Sequence, residues 1–370
     1  MRLMTFNVEN LFERPAAMNL PKWSDGSKVL KDFAELNNLI EKDTYTAPTK
    51  KKLLTVMGRY KGLLTQGKSK FIRLREVRGK LIYKPSGKPR QIRYNGRAEW
   101  VGWFELVPDT VNETAIENTA RVMKEVDADI LCVVEADDRI ALTRFSDFMI
   151  KQVGGTPYDH VMLIDGNDNR GIDVAIMTRD QFPIESMASH VDDQDSIGTI
   201  FSRDCAEYRV TLPDGDELLV MINHLKSKGY GSQASSNAKR KRQAKRVRSI
   251  YQERRQQGWK LIAVAGDLND TPDSKPLKPL LKSGSDLIDI MAHPKFVGDG
   301  RPGTHGNGTK SGKLDYILLS PALSKRVTGG GIERRGVWGG KHGTLFPHLP
   351  QINEAVEAAS DHAALWVDFG

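Results

Sequence analysis

Cysteine occurs only twice in 370 residues, at Cys132 and Cys205, so no disulfide framework can hold this chain together. Cys132 lies inside the apolar run Ile130-Leu131-Cys132-Val133-Val134 and reads as a small buried hydrophobe. No apolar run approaches the ~20 residues of a membrane-spanning helix. The N-terminus has no basic-then-apolar leader, and Leu3 to Val8 already reads as a strand. We therefore expect a cytoplasmic protein, with a processed secreted form as the alternative. His342 and His348 are loosely spaced and have no cysteines beside them, which argues against a zinc site. There is no internal repeat.

An apolar fraction of 39% is enough for a sizeable core, and the length suits one large α/β domain or two smaller ones. The formal net charge of +8 is unevenly placed. From Thr49 to Trp100 there are 16 Lys or Arg against Glu76 and Glu99, a local balance of +14 that leaves −6 for the rest. Such a concentration suits a polyanionic partner, although a solvated basic surface would have the same composition.

Along the chain, residues 1–12 read as a strand and 13–48 as irregular, with a helix around Val29 to Glu41. A basic helical stretch fills 49–66. The period then changes to two, and Phe71 to Val77 with Leu81 to Tyr83 reads as a hairpin. A second pair, Gln91 to Tyr94 and Ala98 to Leu106, turns at Asn95-Gly96. After Pro108 the pattern is regular α/β. Helices are expected at Glu113 to Val126 and Ser236 to Gln257. Strands are expected at Ile130 to Glu135, His160 to Asp165, Ile172 to Met177, Leu218 to His224, Leu261 to Gly266, Tyr316 to Leu319 and Ala363 to Val367. The Gly-rich stretches 298–312 and 329–343 read as loops.

Several of these strands end in a carboxylate, an amide or an imidazole, as when rigid strands aim their last residues at one rim. The segments are Phe6-Asn7-Val8-Glu9, Asp129-Ile130-Leu131-Cys132-Val133-Val134-Glu135, Arg170-Gly171-Ile172-Asp173, Asn223-His224-Leu225-Lys226-Ser227-Lys228, Gly266-Asp267-Leu268-Asn269, Leu314-Asp315-Tyr316 and Ser360-Asp361-His362. In this order they resemble the endonuclease/exonuclease/phosphatase superfamily, the DNase I-like fold. The resemblance covers residues 1–12 and about 110–370 and is nearest to the bacterial nuclease branch. It implies a four-layer α/β sandwich of two packed mixed β-sheets flanked by helices. Residues 1–370 would form one such domain, interrupted by a basic, hairpin-containing insertion at 13–110.

Phosphodiester hydrolysis needs a metal to offset charge, an activated water and donors for the phosphate oxygens. Glu135 and Asp361, helped by Asn7 and Glu9, supply hard oxygen ligands suited to Mg²⁺ or Mn²⁺. His362 is the candidate general base, with Asp315 fixing its tautomer. Asp267 is a rival base or a ligand for a second metal. Asn269 and Arg170 would hold phosphate oxygens, and His224 would stabilise the transition state or protonate the leaving oxygen. Lys226, Lys228, Arg242, Arg246, Arg73 and Arg75 would contact a nucleic-acid backbone.

The expected activity is that of a divalent-metal-dependent nuclease, most simply on DNA, and the resemblance implies 3′-hydroxyl and 5′-phosphate products. The alternatives are a phosphatase or phosphodiesterase acting on inositol phosphates or phospholipid headgroups, and a non-catalytic nucleic-acid-binding module. Against the first, no Trp-Cys-Asp-Arg-type segment surrounds Asp315.

Three further signals are ambiguous. Gly62-Leu63-Leu64-Thr65-Gln66-Gly67-Lys68-Ser69 fits the P-loop pattern, but a helix precedes it and a strand follows, the inverse of what phosphate binding needs. The long basic helix could form a phosphate-tracking edge, or Ala244, Val247 and Tyr251 could face the core with the charges in water. Trp100, Trp103 and Phe104 could stack bases, lie flat on a membrane or pack the insertion's core.

Overall fold

The computed structural model describes residues 1–9, 11–17, 20, 23–168, 170–228, 232–282 and 284–370. They fall into two compact units. The first comprises Met1–Phe12, Val111–Lys228 and Gln233–Gly370; the second is built on Glu13–Thr110.

Thirteen strands of the first unit make two large sheets. They are β1 (Arg2–Asn7), β2 (Ile130–Ala136), β3 (His160–Ile164), β4 (Asp173–Thr178), β5 (Ile184–Ala188), β6 (Cys205–Thr211), β7 (Glu217–His224), β8 (Leu261–Asp267), β9 (Ile288–Asp289), β10 (Phe296–Val297), β11 (Asp315–Leu319), β12 (Val327–Glu333) and β13 (Ala364–Phe369). One sheet runs β10-β12-β13-β1-β2-β4-β3 and the other β5-β6-β7-β8-β11-β9. Both are mixed: β1 and β2 pair in parallel, as do β7 and β8, while β13 and β11 join them antiparallel.

Strand alternation explains the layering. Leu3, Ile130, Cys132, Val174 and Ile176 of one sheet share a core with Tyr208, Val220, Ile222, Ala263, Ala265 and Ile317 of the other. The opposite face of the first sheet, through Met4, Phe6, Leu131 and Val133, packs on Ala120, Met123 and Val126 of the helix Glu113–Val126. The outer face of the second, through Met221, Ile262 and Val264, packs on Ala244, Val247, Ile250 and Tyr251 of the helix Gln233–Gln256. The result is helix, sheet, sheet, helix, with the Cys132 and Cys205 thiols free and buried. Among the described residues, no helix is long and apolar enough to cross a membrane.

Glycine shapes two places. Gly329–Gly331, read above as loop, lie in β12, where a Cβ on Gly331 would meet the Trp366 ring at 2.6 Å. Gly266 has φ +121°, and a Cβ there would fall 2.0 Å from the Asn223 carbonyl oxygen on β7. Gly266→Ala is thus expected to destabilise the chain by about 3 kcal/mol or more, read by urea unfolding.

The second unit has its own core of Leu30, Phe33, Leu53, Met57, Ile72, Trp100 and Phe104, among others. Its strand pairing differs from the two local hairpins expected. Ile72–Arg78 pairs antiparallel with Val101–Leu106, and Ile82–Tyr83 pairs with Gln91–Ile92. Ile72 and Leu74 meet Leu106 and Phe104 on the buried face of the longer pair, and that non-local burial outweighs local turn chemistry. Gly62–Ser69 forms a single helical turn, Leu63–Gln66, preceded by the helix Ala47–Gly58 and followed by a strand, so the phosphate-loop arrangement is absent there.

An ion network ties β6 to the long helix. His190 sets Nδ1 3.0 Å from Asp193 and Nε2 2.7 Å from Glu207. Arg254 donates to both Glu207 oxygens, and Arg246 donates to Asp193. Burial opposes the His190 charge, but Glu207 and Asp193 raise its pKa overall, whereas that of Glu207 is lowered by His190 and Arg254 against burial. The histidine's stabilisation is therefore full below its unfolded pKa of about 6.5 and fades as pH rises through the higher folded value. Glu207 contributes above its own unfolded pKa and loses that contribution in acid. We expect His190→Asn to lower Tm by about 2 °C at pH 6, with the gap to wild type narrowing above pH 8. A gap independent of pH would show that the histidine acts through packing alone.

Candidate active site

Two parallel strand pairs place their C-terminal ends at one rim. Asn7 ends β1 beside Val134, and His224 ends β7 in register with Asp267 at the end of β8. The antiparallel neighbour β11 begins at Asp315, opposite Asp267. The segment Ser360-Asp361-His362 leads into β13, which pairs with β1. Ser360 Oγ donates to the Asn7 carbonyl at 2.7 Å and accepts from the His362 N–H, locking that segment to β1. Glu135 sits at a β-bulge, where Asp173 pairs with Ala136 and Val174 with Val134, and its φ is +67°. The bulge re-aims the Glu135 side chain, and a left-handed φ on a non-glycine residue stores about 1–3 kcal/mol of strain. Glu9 and Asn269 also have positive φ, +52° and +56°.

His362 places Nδ1 2.8 Å from Asp315 Oδ2. Thr304 Oγ1 donates to the same oxygen at 2.5 Å and accepts the Asp315 N–H, which fixes the carboxylate. The Lys313 ammonium donates to the Asp315 carbonyl. Burial opposes charge on His362, yet Asp315 and Asp361 raise its pKa well above normal. His305 stands edge-on, ring centroids 4.8 Å apart, and its Nε2 lies 3.0 Å from Asp361 Oδ2.

Asp267 Oδ1 accepts the Asn269 N–H at 2.8 Å, and Oδ2 accepts the side-chain amides of Asn269 and Asn7 at 2.9 and 3.3 Å. Burial and the Asp315 carboxylate raise its pKa. His224 Nε2 lies 3.6 Å from Glu135 Oε1 and 3.7 Å from Asp267 Oδ2. Among the described residues, its buried Nδ1 has no hydrogen-bond partner. Burial, then Arg203 and Arg170, push its pKa well below normal, so the ring is neutral and suits hydrogen-bond donation better than acid catalysis.

The oxygen donors of Glu135, Asn7, Glu9 and Asp361 are those a hard divalent cation prefers. Glu9 Oε2 accepts the Asp361 N–H at 3.0 Å and Asn7 Oδ1 accepts the Glu9 N–H, so three of the four are tied together. The donor set fits Mg²⁺ or Mn²⁺. Ligand atoms of Asp267, Asp315 and His362 also lie within 4.8 Å of one another, as do those of His305, Asp361 and His362.

Arg170 donates through Nε and a terminal nitrogen to the two Asp168 oxygens, each at 2.9 Å, and Arg203 approaches the same carboxylate at 3.0 Å. Despite burial, these two cations hold the Asp168 carboxyl far below its usual range. Burial, then Arg203 and Arg170, lower the Lys226 pKa to about 7. Lys228 pairs with Asp270, which also takes two bonds from the fully buried Arg240. Arg242 pairs with Asp195 and Arg246 with Asp193 and Glu253, whereas Arg73 and Arg75 share Glu105 in the second unit. Sequence reasoning missed Thr304, His305, Asp168, Arg203 and Lys313. Thr304 and His305 lie in a Gly-rich loop with no periodic signal, and Asp168 and Arg203 meet only through folding.

The family model described as Endonuclease/Exonuclease/phosphatase family matches residues 111–362. The chain belongs to this family. Members of the endonuclease/exonuclease/phosphatase family hydrolyse phosphoester bonds and typically use divalent metals. No curated protein matches the chain. Among solved structures, the human Nocturnin catalytic domain is 19% identical, covering 71% of this chain and 88% of that one, with a TM-score of 0.49. Truncated Caenorhabditis elegans TDP2 is 18% identical over 69% of this chain and 90% of that one, TM-score 0.48. A Bacteroides thetaiotaomicron mannosyl-6-phosphatase is 18% identical over 70% and 91%, also at 0.48.

Proposed function

We propose that this chain is a divalent-metal-dependent nuclease that hydrolyses phosphodiester bonds of DNA. The observation that carries the reading is the His362–Asp315 pair at 2.8 Å, set on the same rim as Asp267, Asn269, His224 and the Glu135 bulge. With Nδ1 tied to Asp315, Nε2 of His362 takes the proton of the attacking water. Asp267, bound by two amides and buried beside Asp315, positions that water. Neutral His224 donates from Nε2 to a phosphate oxygen, with Arg170 and Lys226 adding charge. A divalent cation on Glu135, Asn7, Glu9 and Asp361 would offset phosphate charge and the carboxylate field that keeps His362 protonated.

DNA as substrate is supported by the +14 balance of Thr49 to Trp100. The test incubates purified protein with plasmid DNA, single-stranded DNA, RNA and inositol phosphates, with and without Mg²⁺. Mg²⁺-dependent cleavage of DNA is expected. Turnover of inositol phosphates alone would move the chain to the phosphatases, and no turnover would make it a binding module.

A further inference from the structure

The second unit contains a cleft of about 560 Å³ between the turn Leu64–Gly67, the strand Ile72–Arg78 and the pair formed by Ile82–Tyr83 and Gln91–Ile92. Arg73, Arg75, Lys80, Lys84 and Arg90 line it, against the single carboxylate of Glu76. Lys80 pairs with Glu76 at 3.1 Å, and Arg73 and Arg75 share Glu105. Neither Lys84 nor Arg90 lies within ion-pair distance of a carboxylate among the described residues. A concave surface lined by one sign of charge focuses its field and concentrates counter-ions.

Two aromatic side chains accompany the charge. Tyr83 lines the cleft, its hydroxyl donating to Gln91 at 2.8 Å and the Arg93 guanidinium lying 5.1 Å from its ring centroid. Trp103 is the cross-strand partner of Arg75 and is 42% exposed, whereas Trp100 and Phe104 are core residues. Aromatic surfaces beside a cationic groove are how single strands are held without sequence preference, the bases stacking and the phosphates following the charge.

We infer that this cleft binds a single strand of nucleic acid. The inference rests on the reading of the substrate as nucleic acid but not on the hydrolytic step. Binding is measured in EDTA by fluorescence anisotropy with a labelled oligothymidylate of about 12 nucleotides. The double variant Lys84→Ala/Arg90→Ala breaks no ion pair, and its melting curve should match wild type. It is expected to weaken binding roughly tenfold and to reduce the slope of log K against log salt by about 1.4. Trp103→Ala should weaken binding about fivefold or more. The control Lys151→Ala/Lys325→Ala removes equal charge from exposed positions elsewhere and should change little. Equal affinity of the cleft variant and wild type, or equal losses in the cleft and control pairs, would overturn the inference. So would a duplex of the same length that binds as tightly and loses as much. Wild-type turnover of bis(p-nitrophenyl) phosphate with Mg²⁺ reports on the proposed chemistry separately.

Discussion

Replacement of His362 by alanine is expected to lower kcat on a phosphodiester by about 10²- to 10⁴-fold, with KM and divalent-ion affinity little changed. The imidazole is hydrogen-bonded through Nδ1 to Asp315 at 2.8 Å, and Asp315 is held in turn by Thr304. That arrangement sets the tautomer and leaves Nε2, 3.6 Å from Asp361 Oδ1, as the nitrogen not tied to Asp315, in a ring that is 7% exposed. Because the pair acts as a unit, Asp315→Asn should lose much of the same rate, and the double variant should be little worse than His362→Ala alone. Steady-state kinetics on a labelled oligonucleotide would measure this, with melting curves to check that Asp315, left without its partner, has not unfolded the rim. Activity of His362→Ala within a few-fold of wild type would remove the histidine from the base role and promote Asp267.

Glu135→Gln is expected to have a different signature. It keeps the shape of the side chain and removes its charge, so the bulge at β2 should persist. Divalent-ion affinity should fall about 100-fold, and activity at sub-saturating metal should fall with it and recover partly at high metal. Calorimetric titration with Mn²⁺ measures the first and a metal-concentration profile of turnover the second. His362→Ala should leave the titration unchanged, so the two variants separate proton transfer from cation binding. Unchanged affinity in Glu135→Gln would mean that the carboxylate, 3.6 Å from His224 Nε2, serves that histidine instead.

The strands that carry the candidate site were legible because each is an apolar run closed by a polar residue: β1 at Asn7, β2 at Glu135, β7 at His224, β8 at Asp267. Such runs are buried on both faces, and their ends are marked by a change in composition. The illegible parts depend on distant partners. β12 is rich in glycine because Ile290 and Trp366 crowd it, which no local pattern reveals. In β6, Glu207 interrupts the apolar run and is buried only because His190 and Arg254 neutralise it. The strand Ile72–Arg78 finds its partner beyond the nearest turn, so local turn signals mislead. Asp168 could not be recognised as the carboxylate between Arg170 and Arg203 before the fold brought Arg203 to it.

Phe12 and Val111 are joined by a backbone hydrogen bond of 2.9 Å, and the flanking segments Glu13–Pro15 and Pro108–Thr110 pair as strands. Everything between leaves and re-enters the chain at neighbouring points. Exchanging these nearly one hundred residues for a tight turn is therefore expected to leave the order of the strands in both large sheets unchanged.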